Sequence, residues 1–255
     1  MFTVCFLSSA VRCQPLSRAL CIIRKVMSIY PPIDFFPLFD GPLQYEIELH
    51  EKAKKYGLPT QPLKPVTKIN SALDFLMHTI ANYSCSGVVH DFHSKILDSR
   101  AFAEIKRLTP YLKDISSTNL YRNIPQKAEL HSVDAEIRDF GSLLPSGQTL
   151  FHGGSLPLNR PLVTNRPLST TYCPQVALWH ADNDRLPDRN PTPVVWVLTV
   201  GQACSKKAIV FKKGGSNMAN EFEVLIESGV IVSPTRCQTK SCVFGQLQVI
   251  EAELN

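Results

Sequence analysis

The feature that most constrains this chain is a change of hydrophobic period. Up to the turn Pro145-Ser146-Gly147, apolar residues recur at helical spacing; beyond it they fall in short runs bounded by Gly, Pro, Asn and Ser. A period near 3.6 lines one face of a helix and a period of 2 lines one face of a strand, so the two parts cannot exchange roles. Helices first and strands second predict the α+β class.

The helical part reads as five amphipathic segments. Leu43 to Tyr56 carries Tyr45, Leu49, Ala53 and Tyr56 on one side and is ended by Gly57. Ser71 to Tyr83 places Leu73, Leu76, Met77, Ile80 and Tyr83 on one stripe with Ser71 as N-cap. Val88 to Leu97, Ala101 to Leu112 and Ser132 to Leu144 follow, the last with Val133, Ile137, Phe140 and Leu144 inward. The Pro-rich and aromatic segment Tyr30 to Pro42 reads as an extended strap on a surface, and Pro59 to Pro65 as a linker. Strand-like runs are Thr149 to His152, Leu168 to Tyr172, Pro193 to Val200, Ala208 to Phe211, Glu221 to Glu227, Val230 to Val232 and Gly245 to Glu253, with a helix from Pro174 to Ala181 between the second and third.

At 255 residues and 44% hydrophobic, the chain can bury one large core or two small ones. Its net charge of +5 is spread over scattered Lys and Arg, which suits a phosphate-bearing small molecule and does not make a nucleic-acid track. The eight cysteines include no C-x-x-C pair and predict free thiols in a reducing, cytoplasmic compartment. His90 and His93 have the spacing of half a metal site, but no second pair at ligand spacing accompanies them, so no metal is expected. No run approaches the roughly 20 apolar residues of a membrane span. Met1 to Ile33 lacks acidic residues and carries Arg12, Arg18, Arg24 and Lys25. That composition is like an organellar transit peptide, but a disordered extension or a start at Met27 is the preferred expectation.

Glu221 and Glu223 stand out within Asn220 to Gly229. In a strand they share a face, while Phe222, Val224 and Ile226 point to a core. Alone, the segment also fits a half-exposed edge strand with solvated glutamates. Two further segments carry polar groups where a core strand should not: Leu150-Phe151-His152-Gly153-Gly154 and Leu168-Ser169-Thr170-Thr171-Tyr172. Gly153 lets backbone approach a planar ligand, and its amide groups can pair with a carboxamide. His152 offers a neutral donor and acceptor for a ribose hydroxyl, or is a structural histidine at a strand end. Ser169 and Thr171 share a face, where hydroxyls can orient a carboxylate or simply satisfy β-propensity.

In this order and spacing, the three segments resemble the signature strands of the ADP-ribosyltransferase superfamily: Arg or His before a Gly, then Ser-Thr-Ser, then Glu, often as Glu-x-Glu. Ile80 to Ile96 and Ala135 to His152 resemble the helix preceding the core and the helix, turn and first strand of bacterial toxin members, so the likeness runs over residues 70 to 255. The resemblance implies a mostly antiparallel two-sheet catalytic core over 126–255, behind a 1–38 extension and a 39–125 helical region. It implies NAD as co-substrate and a protein acceptor, with no nucleic acid, no membrane span and a monomer, acting in the cytoplasm or delivered into that of a target cell.

Carried over residue by residue, Glu223 is the catalytic glutamate beside the NAD ribose, Glu221 serves an arginine acceptor and Ser169 orients the carboxylate. His152, Gly153, Ser169 and Thr171 contact NAD. Arg185 and Arg189, in the loop from Asp182 to Pro193, are candidates to grip the pyrophosphate, and Lys212 to Asn220, with Gly214 and Gly215, would meet the target protein. His152 departs from the Arg usual in Glu-x-Glu toxins and is typical of the diphtheria-toxin and polymerase branch; Thr171 replaces the second Ser. Water as acceptor, giving an NAD glycohydrolase, and an inactive binding module are the competing readings.

Overall fold

Hydrophobic period translates into architecture in a computed structural model that describes residues 30–82, 86–157, 160–183, 192–211, 222–242 and 245–255. The first part contains β1 (Leu38–Asp40), α1 (Gln44–Lys55), β2 (Thr67–Ile69), α2 (Ala72–Ala81), α3 (Ser86–Asp98), α4 (Arg100–Leu108), α5 (Ser116–Asn123) and α6 (Leu130–Phe140). The second contains β3 (Ser142–Leu143), β4 (Thr149–Gly153), β5 (Leu162–Val163), β6 (Leu168–Thr171), α7 (Pro174–Asn183), β7 (Val194–Val200), β8 (Lys207–Val210), β9 (Glu223–Ile226), β10 (Ile231–Cys242) and β11 (Gly245–Leu254). Ser71 caps α2 as expected, its Oγ accepting from the Asp74 amide at 3.1 Å, and Gly57 ends α1 with φ +65°.

Among the described residues, nine strands join in the order β3-β8-β9-β6-β4-β7-β11-β10-β5. This single mixed sheet replaces the two mostly antiparallel sheets expected: β7 and β11 run parallel along their length. The ladder is thinnest between β4 and β6, which meet only at Phe151 and Thr171. That join divides the sheet into two wings.

Strict alternation buries both faces of the central strands. Leu150, Leu168, Trp196, Val224, Ile226 and Ile250 face one core, together with Phe75, Phe92 and Phe102 from the helices. On the opposite face, α2 and α7 cover Phe151, Val195, Val197 and Val249 of one wing. Tyr121, Val133 and Ile137, from α5 and α6, cover Ile209 and Leu225 of the other. β9 is therefore an interior strand paired on both sides, not a half-exposed edge.

Several expectations are corrected. The extended segment before β1 is not a surface strap: Ile33, Phe35 and Leu38 lie in the main core, and the Ile33 amide donates to buried Gln148 Oε1 at 2.8 Å. The apolar stripe of α1 faces solvent, with Tyr45, Leu49 and Tyr56 exposed. Phe140 is also exposed, because α6 ends at that residue. Two short strands and α5 interrupt the expected helical block. β10 continues to Cys242, well past Val232, despite Pro234. Tyr83 lies outside the described residues. Among the described residues, no helix is long and apolar enough to cross a membrane.

Candidate active site

The cleft arises from hydrogen-bond parity at the thin join. In an antiparallel pair, alternate residues turn both backbone groups towards one neighbour. The Gly154 amide donates to the Val194 carbonyl at 3.0 Å, and the Val200 amide to the Gln148 carbonyl at 2.9 Å. Even-numbered residues of β4 therefore bond β7, and Gly153 turns its N–H and C=O the other way, towards β6. Likewise the Tyr172 amide donates to the Phe222 carbonyl at 3.3 Å, so Ser169 turns its backbone towards β4. The β4–β6 ladder does not continue to these two residues. Instead His152 Nδ1 lies 2.7 Å from the Ser169 carbonyl oxygen. A carbonyl only accepts, so Nδ1 carries a proton.

Glycine at 153 is required by packing. A Cβ there would stand 1.9 Å from the Ala177 carbonyl oxygen and 2.7 Å from the Ala181 nitrogen. The close approach is thus that of α7, which brings Val176, Ala177 and His180 over the gap as its wall. Trp196 on β7 donates its indole N–H to the Gly154 carbonyl at 3.0 Å, fixing the chain just beyond.

Glu223 opens β9 at the other side of the gap. Its Oε1 accepts from Ser169 Oγ at 2.9 Å, and its Oε2 lies 2.7 Å from Nε of Arg122 on α5. The side chains of this pair are 11% and 13% exposed, so the ions are largely shielded from solvent screening. Phe222, immediately before, has φ +47°. A bulky residue in the left-handed region is strained, and here aromatic packing holds it: its ring lies 5.3 Å from Phe92, 5.0 Å from His93 and 5.8 Å from Phe102. From the far end, α6 anchors the chain leaving β9. Asp134 accepts from the Ser228 amide at 2.9 Å and from its hydroxyl, and Arg138 pairs with Glu227 at 2.8 Å.

His152, Gly153, Ser169, Thr171 and Glu223 line one small cavity of about 100 Å³. Thr171 forms its wall from a buried position, its Oγ1 accepting from the Cys173 amide at 3.0 Å to shape the turn into α7. His152, Gly153, Ser169 and His180 also border a larger trough of about 740 Å³, reached past Tyr121, Asn165 and Arg166. Burial raises the Tyr121 phenol above its ordinary range, against the Arg166 charge and with those of Asp134 and Glu223; its hydroxyl donates to the Pro167 carbonyl at 2.9 Å. Glu221, Arg185, Arg189 and residues 212–220 lie outside the described residues.

Arg122, Arg166 and His180 are absent from the sequence-based site. His180 follows from the helix after Ser169-Thr170-Thr171, but nothing local marks Arg122, whose partner is 101 residues away. His93, considered for a metal, packs against Phe222, and burial followed by the His90 charge lowers its pKa. Among the described residues, no group of three or more His, Cys, Asp or Glu side chains is placed to hold a metal.

No protein-family model matches the chain, and no curated protein does. Among solved structures it is similar to Vis toxin, an ADP-ribosyltransferase from Vibrio splendidus, with 15% identity and a TM-score of 0.35 over 84% of this chain and 86% of that one. It is similar to C3stau2 from S. aureus, solved with NAD, at 13% identity and a TM-score of 0.34 over 84% and 96% of the two chains. The ADP-ribosylating toxin BECa of a C. perfringens binary enterotoxin, solved with NADH, gives 13% identity and a TM-score of 0.42 over 60% of this chain and 45% of that one. These overlaps are loose, and what the cleft can do is decided by its own side chains.

Proposed function

We propose that the cleft takes NAD and transfers its ADP-ribose to a protein side chain, with release of nicotinamide. The observation that carries this reading is a carboxylate, Glu223, oriented by the Ser169 hydroxyl at 2.9 Å in the same small cavity as the strand-edge backbone of Gly153. A primary carboxamide needs one donor and one acceptor side by side, and the Gly153 N–H and C=O offer both at the gap. By the resemblance of the signature strands, His152 is the residue that meets a ribose hydroxyl. The adjoining trough of about 740 Å³ falls within the size range of nucleotide-scale ligand clefts.

Glu223 has two tasks in this scheme. It accepts a hydrogen bond from the ribose hydroxyl next to the glycosidic bond, and its negative charge stabilises the positive charge that grows on the ribose. As the bond from C1' to nitrogen breaks, nicotinamide leaves with the electron pair, and the acceptor's lone pair forms the new bond to C1'. An anion fixed beside such a centre contributes on the order of 3–4 kcal/mol.

For the acceptor we assign arginine, with Glu221 orienting the guanidinium and taking its proton during attack, because a free guanidinium stays protonated at neutral pH. Arg185, with Arg166 at the trough, supplies forked donors for the pyrophosphate. Incubation with labelled NAD, with and without cell extract, separates the outcomes. Acceptor-dependent nicotinamide release and label on protein arginine support transfer. Rapid release without acceptor makes the chain an NAD glycohydrolase, and no release in either arm contradicts the enzymatic reading.

A further inference from the structure

We propose that Arg122 is the positioning residue for Glu223, setting which of its lone pairs face the cleft; this role rests on the reading of Glu223 as the NAD-ribose carboxylate. The carboxylate is gripped at both oxygens by groups from different elements, Ser169 Oγ on Oε1 and Arg122 Nε on Oε2. Two fixed hydrogen bonds define the plane of the carboxylate, whereas one leaves it free to rotate. One lone pair on each oxygen is committed, and the remaining two are the ones a ligand hydroxyl can meet.

Arg122 also ties together the chain on both sides of residues 212–221. Its guanidinium lies over the Phe211 ring, 5.3 Å from the centroid, and the Phe211 amide donates to the Glu223 carbonyl at 3.1 Å. The helix that carries it is itself held from outside. Glu136 of α6 accepts from the amides of Ser117 and Thr118 at 3.0 and 2.7 Å, capping the N-terminus of α5 as a side chain in trans. Tyr121 anchors the same helix to the Pro167 carbonyl at 2.9 Å. Arginine suits the task because its planar fork fixes direction, which a lysine ammonium does not. The arrangement also reserves the Oε2 side of Glu223 for an internal guanidinium, so an arginine of a target protein must be received elsewhere.

The test is steady-state nicotinamide release from NAD by the full chain, comparing the parent with Arg122→Ala, Arg122→Lys and Glu223→Gln, with thermal unfolding measured in parallel. Misorientation of a reacting group costs about 10²-fold, so Arg122→Ala is expected to lose about that factor in kcat with KM for NAD within about threefold. Added guanidinium ion should restore part of the loss, which a purely structural defect would not allow. Arg122→Lys keeps charge and length and is expected to lose about tenfold in kcat; it carries the test alone if Arg122→Ala does not fold. If Arg122→Ala, or Arg122→Lys where only that variant folds, keeps kcat within about twofold while Glu223→Gln is inactive, the positioning role is wrong and the reading of Glu223 stands. Absence of turnover in the parent, or full activity in Glu223→Gln, overturns that reading and this role with it.

Discussion

Replacing Gly153 by alanine tests the geometry of the cleft through a single methyl group. The added Cβ would lie 1.9 Å from the Ala177 carbonyl oxygen, where real contacts do not fall below 3.0 Å, so α7 or β4 must retreat by at least about 1.1 Å. The second close neighbour, the Ala181 nitrogen at 2.7 Å, is also helix backbone, and no side-chain rotation relieves the clash. Overpacking of this kind costs about 1–3 kcal/mol. At 2–4 °C per kcal/mol for a chain of this size, the melting temperature should fall by roughly 2–12 °C. The activity loss should be larger than the stability loss implies, since α7 carries the Val176, Ala177 and His180 wall, and an ångström-scale displacement costs about 10²-fold in rate. Circular dichroism melts and nicotinamide release measure the two effects. Gly57→Ala is the control: its φ of +65° is strained for alanine, but among the described residues nothing lies within 4 Å of the new methyl, so it should lower stability without touching turnover. A Gly153→Ala chain that melts within about 2 °C of the parent and turns over NAD normally would refute the close packing of α7 on β4.

Two further perturbations probe the supports of Glu223. Burial and the His90 charge hold His93 below the ordinary imidazole range, so its neutral form contributes stability that is complete above the unfolded value and lost as pH falls through the folded one. Melting temperature should therefore drop on mild acidification, and His93→Gln should flatten that part of the profile; an unchanged profile rules out His93 as its source. Asp134→Ala strips the Ser228 amide and hydroxyl of their acceptor. Hydrogen bonds to a charged group contribute about 1.5–3 kcal/mol, so a melting shift of roughly 3–12 °C is expected, against a smaller one for Asp134→Asn, which keeps an acceptor oxygen.

Much of the strand half was legible because both faces of β4, β6, β7 and β9 are buried. Continuous apolar runs such as Val194 to Val200 then reveal the strands, and the interrupting polar residues His152, Ser169 and Glu223 mark the cavity they line together. The physical role of Gly153 was half legible. The sequence points to a close backbone approach, and the structure identifies the approaching group as α7. What stayed hidden depends on partners far away in the chain. Residues 116–123 are mostly Ser, Thr and Asn, weak helix formers, and α5 exists because Glu136 caps it and Tyr121 pins it. Arg122 inherits that invisibility. The stripe of α1 shows the opposite limit: period 3.6 reveals a helix face but not whether anything covers it. In β10, Pro234 and a polar row disguise a strand that beyond Val232 has, among the described residues, only β11 beside it, where proline and polar residues are tolerated.

The most direct measurement is nicotinamide release from NAD by the purified chain and by its Glu223→Gln variant, at matched folding. Glutamine keeps the size of the side chain and an oxygen for Ser169 but removes the negative charge that the proposed reaction uses. Turnover by the parent and a fall of about 10²–10³-fold in kcat for the variant are expected. Turnover by Glu223→Gln within about threefold of the parent would contradict that expectation.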